Sequence, residues 1–474
     1  MGLQKKLSKL NAKIERVESR VAILEQDNKT LRQGNKTLDQ ENKGLREENS
    51  RLKKSIEKLK SEKPPKKNST NSSIPPSKDE NRVKKNQSLR KSTGLKSGGQ
   101  KGHKGNTLKM SKKADEIKIH IPYTCQFCGD LLENDYELVG KRQVIDIPPI
   151  QPKTIEHQIY SVNCKCGMLN KSDYPKQVKS PVSYGVNIEV LINYLSTRQY
   201  ISLARIEEFL DQVMGVKMSQ GTIVNKLKSF QAKAKRRYEQ IRKKVSQSSV
   251  VGADETGCVV NGDKHWMWTW QTERETFIAV SQTRGFDAIE NNFSHGFPNS
   301  ILVSDCWAAQ LKTKSKAHQI CIAHLQRELN YFIEIGKETW STKFVELISE
   351  ALELKSKMKQ KTTKYFRLKV KQIIKKSEKL IAQKIDGPPK LITLKNRLLK
   401  RFDSLWIFLQ HYNVPPDNNA SERAIRNVKV KQKVSGQFKS IDGAIHFTML
   451  RSIIDTAIKN DVKIFDAMTK IALS

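Results

Sequence analysis

A seven-residue repeat of apolar side chains runs through residues 1–62, and this repeat constrains the fold more than any other feature. Leucine or valine recurs at every seventh position from Leu3 to Leu59, and a second series begins four residues later, at Leu7. Four successive positions of the second series hold asparagine: Asn28, Asn35, Asn42 and Asn49. Alternating steps of four and three residues identify heptad positions d and a, where leucine at d and asparagine at a favour two parallel strands. We therefore expect residues 1–62 to pair two copies of the chain as a parallel coiled coil, rather than to form one solvated helix.

The charge balance predicts a polyanionic partner. The chain has 87 Lys and Arg residues against 49 Asp and Glu residues, a net charge of +38. Residues 63–117 are rich in Pro, Ser, Asn and Gly, which is typical of a disordered linker. Between Asn81 and Ala114 lie eleven Lys or Arg residues and no acid, and such a run binds phosphates without sequence preference. Nucleic acid is the first candidate partner and an anionic membrane surface the second, and a merely solvated tail is the alternative for the linker.

The sequence predicts neither a membrane span nor a secretory signal. It contains no run of about 18 apolar residues, and its first ten residues, MGLQKKLSKL, lack an apolar segment. The cysteines number seven, and an odd count does not suit a disulfide framework. We expect a reducing, cytoplasmic protein, which argues against a secreted scaffold and a membrane protein.

Two close pairs of cysteines predict a structural zinc site within residues 118–182. The four thiols are Cys125, Cys128, Cys164 and Cys166. Each short loop can present two thiolates to one tetrahedral Zn²⁺, and β-like runs at 117–121 and 154–162 would bring the two pairs together as a zinc ribbon. His157 is a spare candidate ligand, although a histidine in such a run is more often an ordinary strand residue.

Residues 183–245 predict helices with the outline of a helix-turn-helix. Apolar residues at helical spacing end at Gly215, and Ser219 is suited to cap the next helix. Such a pair of helices can read DNA. Two packed core helices explain the same pattern equally well.

Three acids stand where strands or helices begin or end. Residues 246–309 predict three strands, a short helix and a fourth strand, with a tight turn at Asn261-Gly262. Asp254 ends the first strand, Asp305 ends the fourth, and Glu422 lies in the first turn of a helix within 416–442. This order is that of a ribonuclease H-like fold, in which such acids surround two divalent metal ions. Oxygen ligands suit Mg²⁺, although any one acid taken singly is more often solvated.

Neighbours of these acids have weaker signals. Glu255 would point to the opposite face of the strand from Asp254, which favours a structural role. Arg423 and Arg426 follow Glu422, and Arg426 suits either a salt bridge with Glu422 or a phosphate contact. Three tryptophans alternate along one strand as core residues or, less often, as a platform for unpaired bases: Trp266, Trp268 and Trp270.

Residues 310–415 predict a basic helical segment, and residues 443–474 predict a C-terminal helical segment. Near the start of the basic segment, Cys321 and His324 share one helical face, and Arg327 follows. A lone Cys/His pair is usually part of a core, so its metal role is the less frequent alternative.

Together these motifs resemble the large transposase protein of the insertion-sequence sixty-six family, a group of prokaryotic DDE transposases. The resemblance rests on residues 71–77 and 98–105, the boxes Ala-Asp-Glu-Thr-Gly and Ser-Asp-Cys-Trp, the Cys-Ile-Ala-His element, and Asn-Asn-Ala-Ser-Glu-Arg-Ala-Ile-Arg. It implies that Asp254, Asp305 and Glu422 are the catalytic triad and that 310–415 is an insertion in the catalytic fold. It also gives Cys321 and His324 more weight as accessory residues. The chain departs from the family at Lys101, where proline is usual, and after Glu422, where it reads Lys-Val-Lys-Gln-Lys-Val-Ser-Gly.

We therefore expect a multidomain chain of mixed α+β and α/β class: a coiled coil, a zinc ribbon, a helix-turn-helix-like region, and a ribonuclease H-like core with a long helical insertion. Its expected activity is DNA transposition with Mg²⁺ or Mn²⁺, in the prokaryotic cytoplasm at the nucleoid. Its expected partners are element ends, target DNA, a second copy of the chain and small accessory proteins of the same element. Two alternatives are a non-catalytic DNA-binding regulator with this fold and a DNA structure-specific nuclease.

Overall fold

The computed structural model describes residues 2–62, 102, 104, 108–132, 136–175, 177–178, 180–336, 339–360 and 363–474. Most of the linker expected at 63–117, with the segments 71–77 and 98–105 except Gly102 and Lys104, lies outside the described residues. The chain divides into two compact units, Met1–Arg82 with Ile320–Asp417, and Val83–Gln319 with Asn418–Ser474. Of the helices in the described ranges, none combines the length and the apolar character needed to cross a membrane.

The described residues form a mixed α/β fold with many helices. The strands are β1 (Ser161–Asn163), β2 (Leu169–Lys171), β3 (Val250–Val260), β4 (Asp263–Gln271), β5 (Thr276–Ser281), β6 (Phe297–Ser304) and β7 (Ser315–Ile320). The helices are α1 (Gly2–Glu62), α2 (Val186–Asn193), α3 (Leu203–Met214), α4 (Gln220–Ser246), α5 (Phe286–Glu290), α6 (Ala308–Lys312), α7 (Ile322–Gly336), α8 (Thr339–Ser356), α9 (Lys364–Ala382), α10 (Pro389–Lys400), α11 (Ile407–Gln410), α12 (Asn419–Ser435), α13 (Ile441–Lys459) and α14 (Ile464–Ala472).

Helix α1 covers the heptad region, which confirms the helical part of that prediction. Several leucines at heptad position d are more than half exposed along it: Leu24, Leu31, Leu38, Leu45 and Leu52. A leucine stripe of this length is the surface that a second helix covers in a coiled coil. The pairing of two chains stays a prediction.

Helices α7 to α11 occupy most of the segment expected to be helical at 310–415. Side chains join α8 to α9, since the Trp340 indole N–H donates to the carbonyl oxygen of Leu380 at 2.8 Å. The helical prediction is wrong at residues 315–320, which form strand β7. Its sequence, Ser-Lys-Ala-His-Gln-Ile, lacks apolar alternation because β7 is an edge strand, which needs fewer buried side chains.

The cysteine-bearing residues 108–175 contain little regular structure. Strands β1 and β2 form an antiparallel pair, and one isolated bridge joins Thr124 to Leu131. The β-like run at 117–121 is not a strand, and the run at 154–162 contributes only its last two residues to β1. The alternation of apolar residues in these two runs is therefore not sufficient to form long strands, because no other surface packs against them.

Helices α3 and α4 match the two helices expected in 183–245. Helix α3 ends at Met214, and the next residue, Gly215, has a φ of 63°, the left-handed conformation typical of a helix stop. Ser219 caps α4 by accepting a hydrogen bond from the N–H of Thr222. Ile206, Leu210 and Ile223 are buried together in one apolar cluster, so the two helices pack against each other.

The larger sheet has five strands in the order β5-β4-β3-β6-β7. Strand β3 pairs antiparallel with β4 and parallel with β6, and β4 pairs antiparallel with β5, so the sheet is mixed. Asn261 and Gly262, with φ angles of 50° and 88°, form the expected turn between β3 and β4.

Two of the three alternating tryptophans lie in the core of this sheet. Trp268 and Trp270 are fully buried, and their rings stack with centroids 5.8 Å apart. Phe277 and Phe293 continue the aromatic core beside them. Trp266 is partly buried against the same cluster. Burial of Trp268 and Trp270 favours the core interpretation over a platform for bases.

Candidate active site

Asp254 and Asp305 come from neighbouring parallel strands. The register of β3 and β6 pairs Gly252 with Val303. Continued by two residues, this register places Asp305, the first residue after β6, level with Asp254. Both carboxyl groups are therefore expected on the same face of the sheet, since alternate residues of a strand share a face.

Glu422 is carried to that face by the first turn of α12. Asn418 Nδ2 donates to the backbone carbonyl that precedes Asp254 at 2.5 Å, and Ser421 Oγ donates to Asn418 Oδ1 at 2.6 Å. A Cβ atom at Gly252 would lie only 2.8 Å from Ser421 Oγ and 3.0 Å from Asn418 Oδ1. Glycine at this position therefore permits the close approach of α12 to β3.

The surroundings of Asp254 favour the neutral, protonated form of its carboxyl group. Burial raises the pKa of Asp254 well above its ordinary value, and the charges of Glu255, Asp305 and Glu422 raise it further. The N–H of Glu255, which donates to Asp254 Oδ1 at 2.9 Å, offsets this pKa shift only in part. A cation among these groups would stabilise the charged form of Asp254.

The three acids share an electrostatic field without forming a closed ligand set. In the described ranges, no group of three or more His, Cys, Asp or Glu side chains is arranged to hold a metal ion. Their chemistry nevertheless suits a hard divalent cation, because every donor is a carboxylate oxygen. The raised pKa of Asp254 also favours a cation site, since a neighbouring positive charge would lower this pKa.

Glu255 is buried and accepts hydrogen bonds from an arginine and a glutamine. Its side chain is 1% exposed, and its Oε1 accepts hydrogen bonds from Nε and Nη2 of Arg284 at 2.9 and 2.7 Å. Its Oε2 accepts a hydrogen bond from Gln310 Nε2 at 2.5 Å. Burial raises the pKa of Glu255, as does the charge of Asp305, while Arg284 lowers it. These contacts are consistent with the structural role expected of Glu255.

The four cysteines form two separate pairs. Hydrogen bonds from Cys128 lower the pKa of Cys125, and hydrogen bonds from Cys166 lower the pKa of Cys164. A lower thiol pKa favours the thiolate that binds zinc. The two pairs do not join into a set of three or more ligands within the described residues, and His157 is exposed outside any strand. A shared zinc ion therefore stays a prediction.

The accessory candidates lie in different units. Cys321 is buried just before α7, and His324 and Arg327 lie in the first turns of that helix, all in the first unit. Arg423 and Arg426 are exposed on α12, in the second unit. An exposed Arg426 is compatible with both roles expected of it.

Several residues that hold the site were not singled out from the sequence. Gly252 had a usable signal, because a glycine inside a strand often marks close approach of another backbone or side chain. Asn418 directly precedes a helix, which is typical of a capping residue, but its side chain instead bonds to β3. Arg284 and Gln310 had no local signal, because their shared partner, Glu255, is 29 and 55 residues away in the sequence.

Comparison with known families supports a functional interpretation of this geometry. The sequence model of the Transposase IS66 family matches residues 182–446. This range begins just before α2 and ends within α13, so it covers the sheet, both aspartates and Glu422. No curated protein matches the chain.

Proposed function

The chain belongs to the IS66 transposase family, and we propose that it binds the ends of a DNA element, cleaves one strand at each end, and joins the freed 3′-hydroxyl to target DNA. One observation carries the catalytic part of this proposal. Asp305 and Glu422, which are 117 residues apart in the sequence, are both brought to Asp254. The register of β3 and β6 sets Asp305 level with Asp254, and Asn418, which directly precedes the helix that carries Glu422, bonds to the carbonyl before Asp254. The charges of both acids raise the pKa of Asp254. Repulsion between these carboxylates does not stabilise the fold, so the cluster is best explained by a function that needs clustered acids.

The strand order supports a ribonuclease H-like core. Three antiparallel strands, β3 to β5, are followed by α5, and the chain then crosses to β6 on the other side of β3. Asp254 thus lies on β3, Asp305 directly follows the parallel strand β6, and α12 supplies Glu422. The helices from α7 to α11 come between β7 and α12, as an insertion would.

Asp254, Asp305 and Glu422 would hold Mg²⁺ or Mn²⁺. Two such ions activate a water or a 3′-hydroxyl and stabilise the leaving oxygen of a phosphodiester. Asp254, whose pKa is raised by burial and by its neighbours, binds a cation most readily once its proton is lost. Glu255, whose carboxylate pairs with Arg284, would not be a metal ligand. Gly252 and Asn418 fix the distance between α12 and β3.

Other regions would hold the DNA and the second protomer. Exposed basic residues on α4, among them Lys228, Lys235 and Arg236, can contact phosphates beside the pair α3–α4. The leucine stripe of α1 would pair two protomers, one for each element end. A zinc ion held by Cys125, Cys128, Cys164 and Cys166 would order the region before α2. Accessory proteins of the same element and location at the nucleoid belong to the same proposal.

The two alternatives predict different behaviour. A regulator would bind element ends without cutting them, yet all three acids are present in their expected places. A structure-specific nuclease would cut branched DNA regardless of terminal sequence.

The experiment is a cleavage and joining assay in Mg²⁺ on a labelled duplex carrying the sequence that flanks the gene. Wild type is compared with Asp305→Asn, Glu422→Gln and the control Asp263→Asn, which changes an exposed acid on β4. We expect site-specific 3′-hydroxyl formation and joining by wild type and control, and at least about 100-fold slower cleavage by the other two, with DNA binding retained.

Wild-type cleavage by Asp305→Asn would contradict the assignment of the triad. Binding without cleavage by any variant, even with neighbouring gene products added, would favour the regulator. Cutting of branched DNA irrespective of sequence would favour the nuclease.

A further inference from the structure

Asp305 is connected to the ion pair between buried Glu255 and partly buried Arg284 by a continuous series of contacts. The backbone N–H of Trp307 donates to Asp305 Oδ1 at 3.0 Å. The Trp307 indole N–H donates to the backbone carbonyl of Arg284 at 3.1 Å. The guanidinium carbon of Arg284 lies 3.7 Å from the centre of the Trp307 ring. Both the backbone and the side chain of one arginine therefore fix the tryptophan that bonds to Asp305.

Glu255 fixes the other side of the same loop. Its second carboxylate oxygen binds Gln310, which lies on α6, directly after Trp307. One buried carboxylate thus holds both Arg284 and the helix that follows the Asp305 loop. The guanidinium carbon also lies 4.9 Å from the ring centre of Trp266, so it contacts two indole rings. Stacking of this kind restricts the arginine to one orientation.

Core packing alone does not explain this arrangement. Glu255 is 1% exposed and the Arg284 side chain is 35% exposed, and an ion pair with one buried member is often no more stabilising than an apolar pair of the same size. The directional contacts, in contrast, all lead to the loop from Asp305 to Trp307. A positioning role accounts for why charged groups occupy this place.

We propose that Arg284 is a positioning residue which, acting through Trp307, holds the Asp305 carboxylate where it can share a divalent cation with Asp254. The proposal rests on the proposed function and adds to it a support outside the three acids. Lysine cannot replace arginine here, because it lacks both the flat group that stacks on Trp307 and the two N–H groups that reach Glu255 Oε1.

The test uses the full chain with Arg284→Lys, which keeps a positive charge beside buried Glu255. The matched control is Arg242→Lys on α4, which removes an arginine bonded to Glu239 and to the carbonyl of Asn292. Two quantities are measured: Mn²⁺ affinity by calorimetry, and hydrogen exchange of the Trp307 amide. Melting temperature and DNA affinity check that each protein is folded.

We expect Arg284→Lys to weaken Mn²⁺ binding about 10-fold or more and to speed exchange of the Trp307 amide, while Arg242→Lys leaves both at wild-type values. Wild-type values of both quantities in folded Arg284→Lys would overturn the proposal. If wild type binds no Mn²⁺, the proposed function fails, and the amide exchange alone decides whether Arg284 holds the loop. If Arg284→Lys does not fold, Trp307→Phe, which removes the indole N–H, is measured in the same way with the same expected result.

Discussion

The five-stranded sheet and the cysteine-bearing region, residues 108–175, differ in how far their apolar side chains are buried. Around the sheet, Trp268, Phe277 and Leu302 are at most 1% exposed. Among the described residues of 108–175, none is buried, and Val139 and Ile147 are 98% and 78% exposed. Packing can therefore stabilise the sheet by itself, whereas the cysteine-bearing region needs a ligand or a partner to cover its apolar residues.

The two regions also differ in their charged groups. In the sheet, Glu255 is buried with two partners, and Asp254 is partly buried beside other acids. Such placements are tolerated only where surrounding packing holds them. The cysteines of the other region lie near the surface in two pairs, which suits later capture of an ion. The proposed site in the sheet would thus be rigid before it binds a metal ion, whereas the cysteine-bearing region would become ordered on binding one.

The largest expected effect is the response of the cysteine-bearing region to zinc. Structural zinc sites contribute roughly 10–16 kcal/mol in small domains. Zn²⁺ added after chelation should protect Cys125, Cys128, Cys164 and Cys166 from alkylation and slow amide exchange over 118–175, without changing exchange in β3 to β6. Mass spectrometry measures both, and Cys164→Ser should abolish the protection of the other three thiols. Equal alkylation with and without zinc would contradict the zinc site.

A matched pair of isoleucines tests the packing difference directly. Ile278 on β5 is fully buried, so Ile278→Ala should lower the free energy of unfolding of the sheet by about 2–5 kcal/mol. Ile147→Ala in zinc-free protein should change it by no more than about 0.5 kcal/mol. Amide hydrogen exchange of β3 to β6 at increasing urea concentration, measured by mass spectrometry, reports on the sheet. Similar losses for both substitutions would show that the cysteine-bearing region has a core of its own.

Glycine substitutions test whether close approach of α12 is specific to the active site. Gly252→Ala would place a Cβ 2.8 Å from Ser421 Oγ and 2.9 Å from Gln271 Nε2. We expect a loss of about 1–3 kcal/mol and slower cleavage, because both α12 and the Gln271 side chain must shift. Gly257→Ala on the same strand has its nearest neighbour at 3.9 Å, and Gly140 has none within 4 Å. Both controls should keep wild-type cleavage rates. Normal cleavage by Gly252→Ala would mean that Glu422 does not depend on this contact.

The features that the sequence predicted correctly are those whose signals are local. Asn261-Gly262 predicted a hairpin turn because its residues tolerate positive φ angles, and Ser219 predicted a helix cap because its hydroxyl can accept a backbone N–H. Asp305 follows the end of a strand, as its short apolar run predicted. The prediction that Asp254 ends the first strand is wrong, because β3 continues through it to Val260, where it pairs with β4. The catalytic roles proposed for these acids came from the family resemblance, since nothing local distinguishes them among the 49 acids of the chain.

The features that were missed depend on distant partners. Strand β7 is polar because only one of its edges is paired. Its sequence pattern therefore resembles that of the basic helices that follow it. Arg284 matters only because folding brings it to Glu255 and Trp307, and nothing near it in the sequence marks this. The run at 117–121 alternates like a strand, but no neighbouring strand is present to pair with it among the described residues.

The smallest expected effect is the loss of folding stability in acid that is caused by a buried histidine on α13. His446 on α13 is buried, and both of its ring nitrogens lack a hydrogen-bond partner within the described structure. Burial lowers the pKa of His446 to about 4, helped by the charge of Lys431. The unfolded chain takes up this proton at higher pH than the folded chain does, so stability is lost as pH falls from about 6.5 toward 4.

The loss should reach on the order of 1–2 kcal/mol at pH 5, and His446→Phe should remove it while leaving stability at pH 7 unchanged or higher. Urea denaturation at pH 7 and pH 5 measures the difference, with His157→Phe in the exposed cysteine-bearing region as the control. If His446→Phe keeps the full acid sensitivity, the buried carboxyls Asp254, Glu255 and Asp455 do not account for it either, because a raised carboxyl pKa stabilises the fold as pH falls. The acid sensitivity would then arise outside these buried groups, and the contrast between the two regions would not extend to proton uptake.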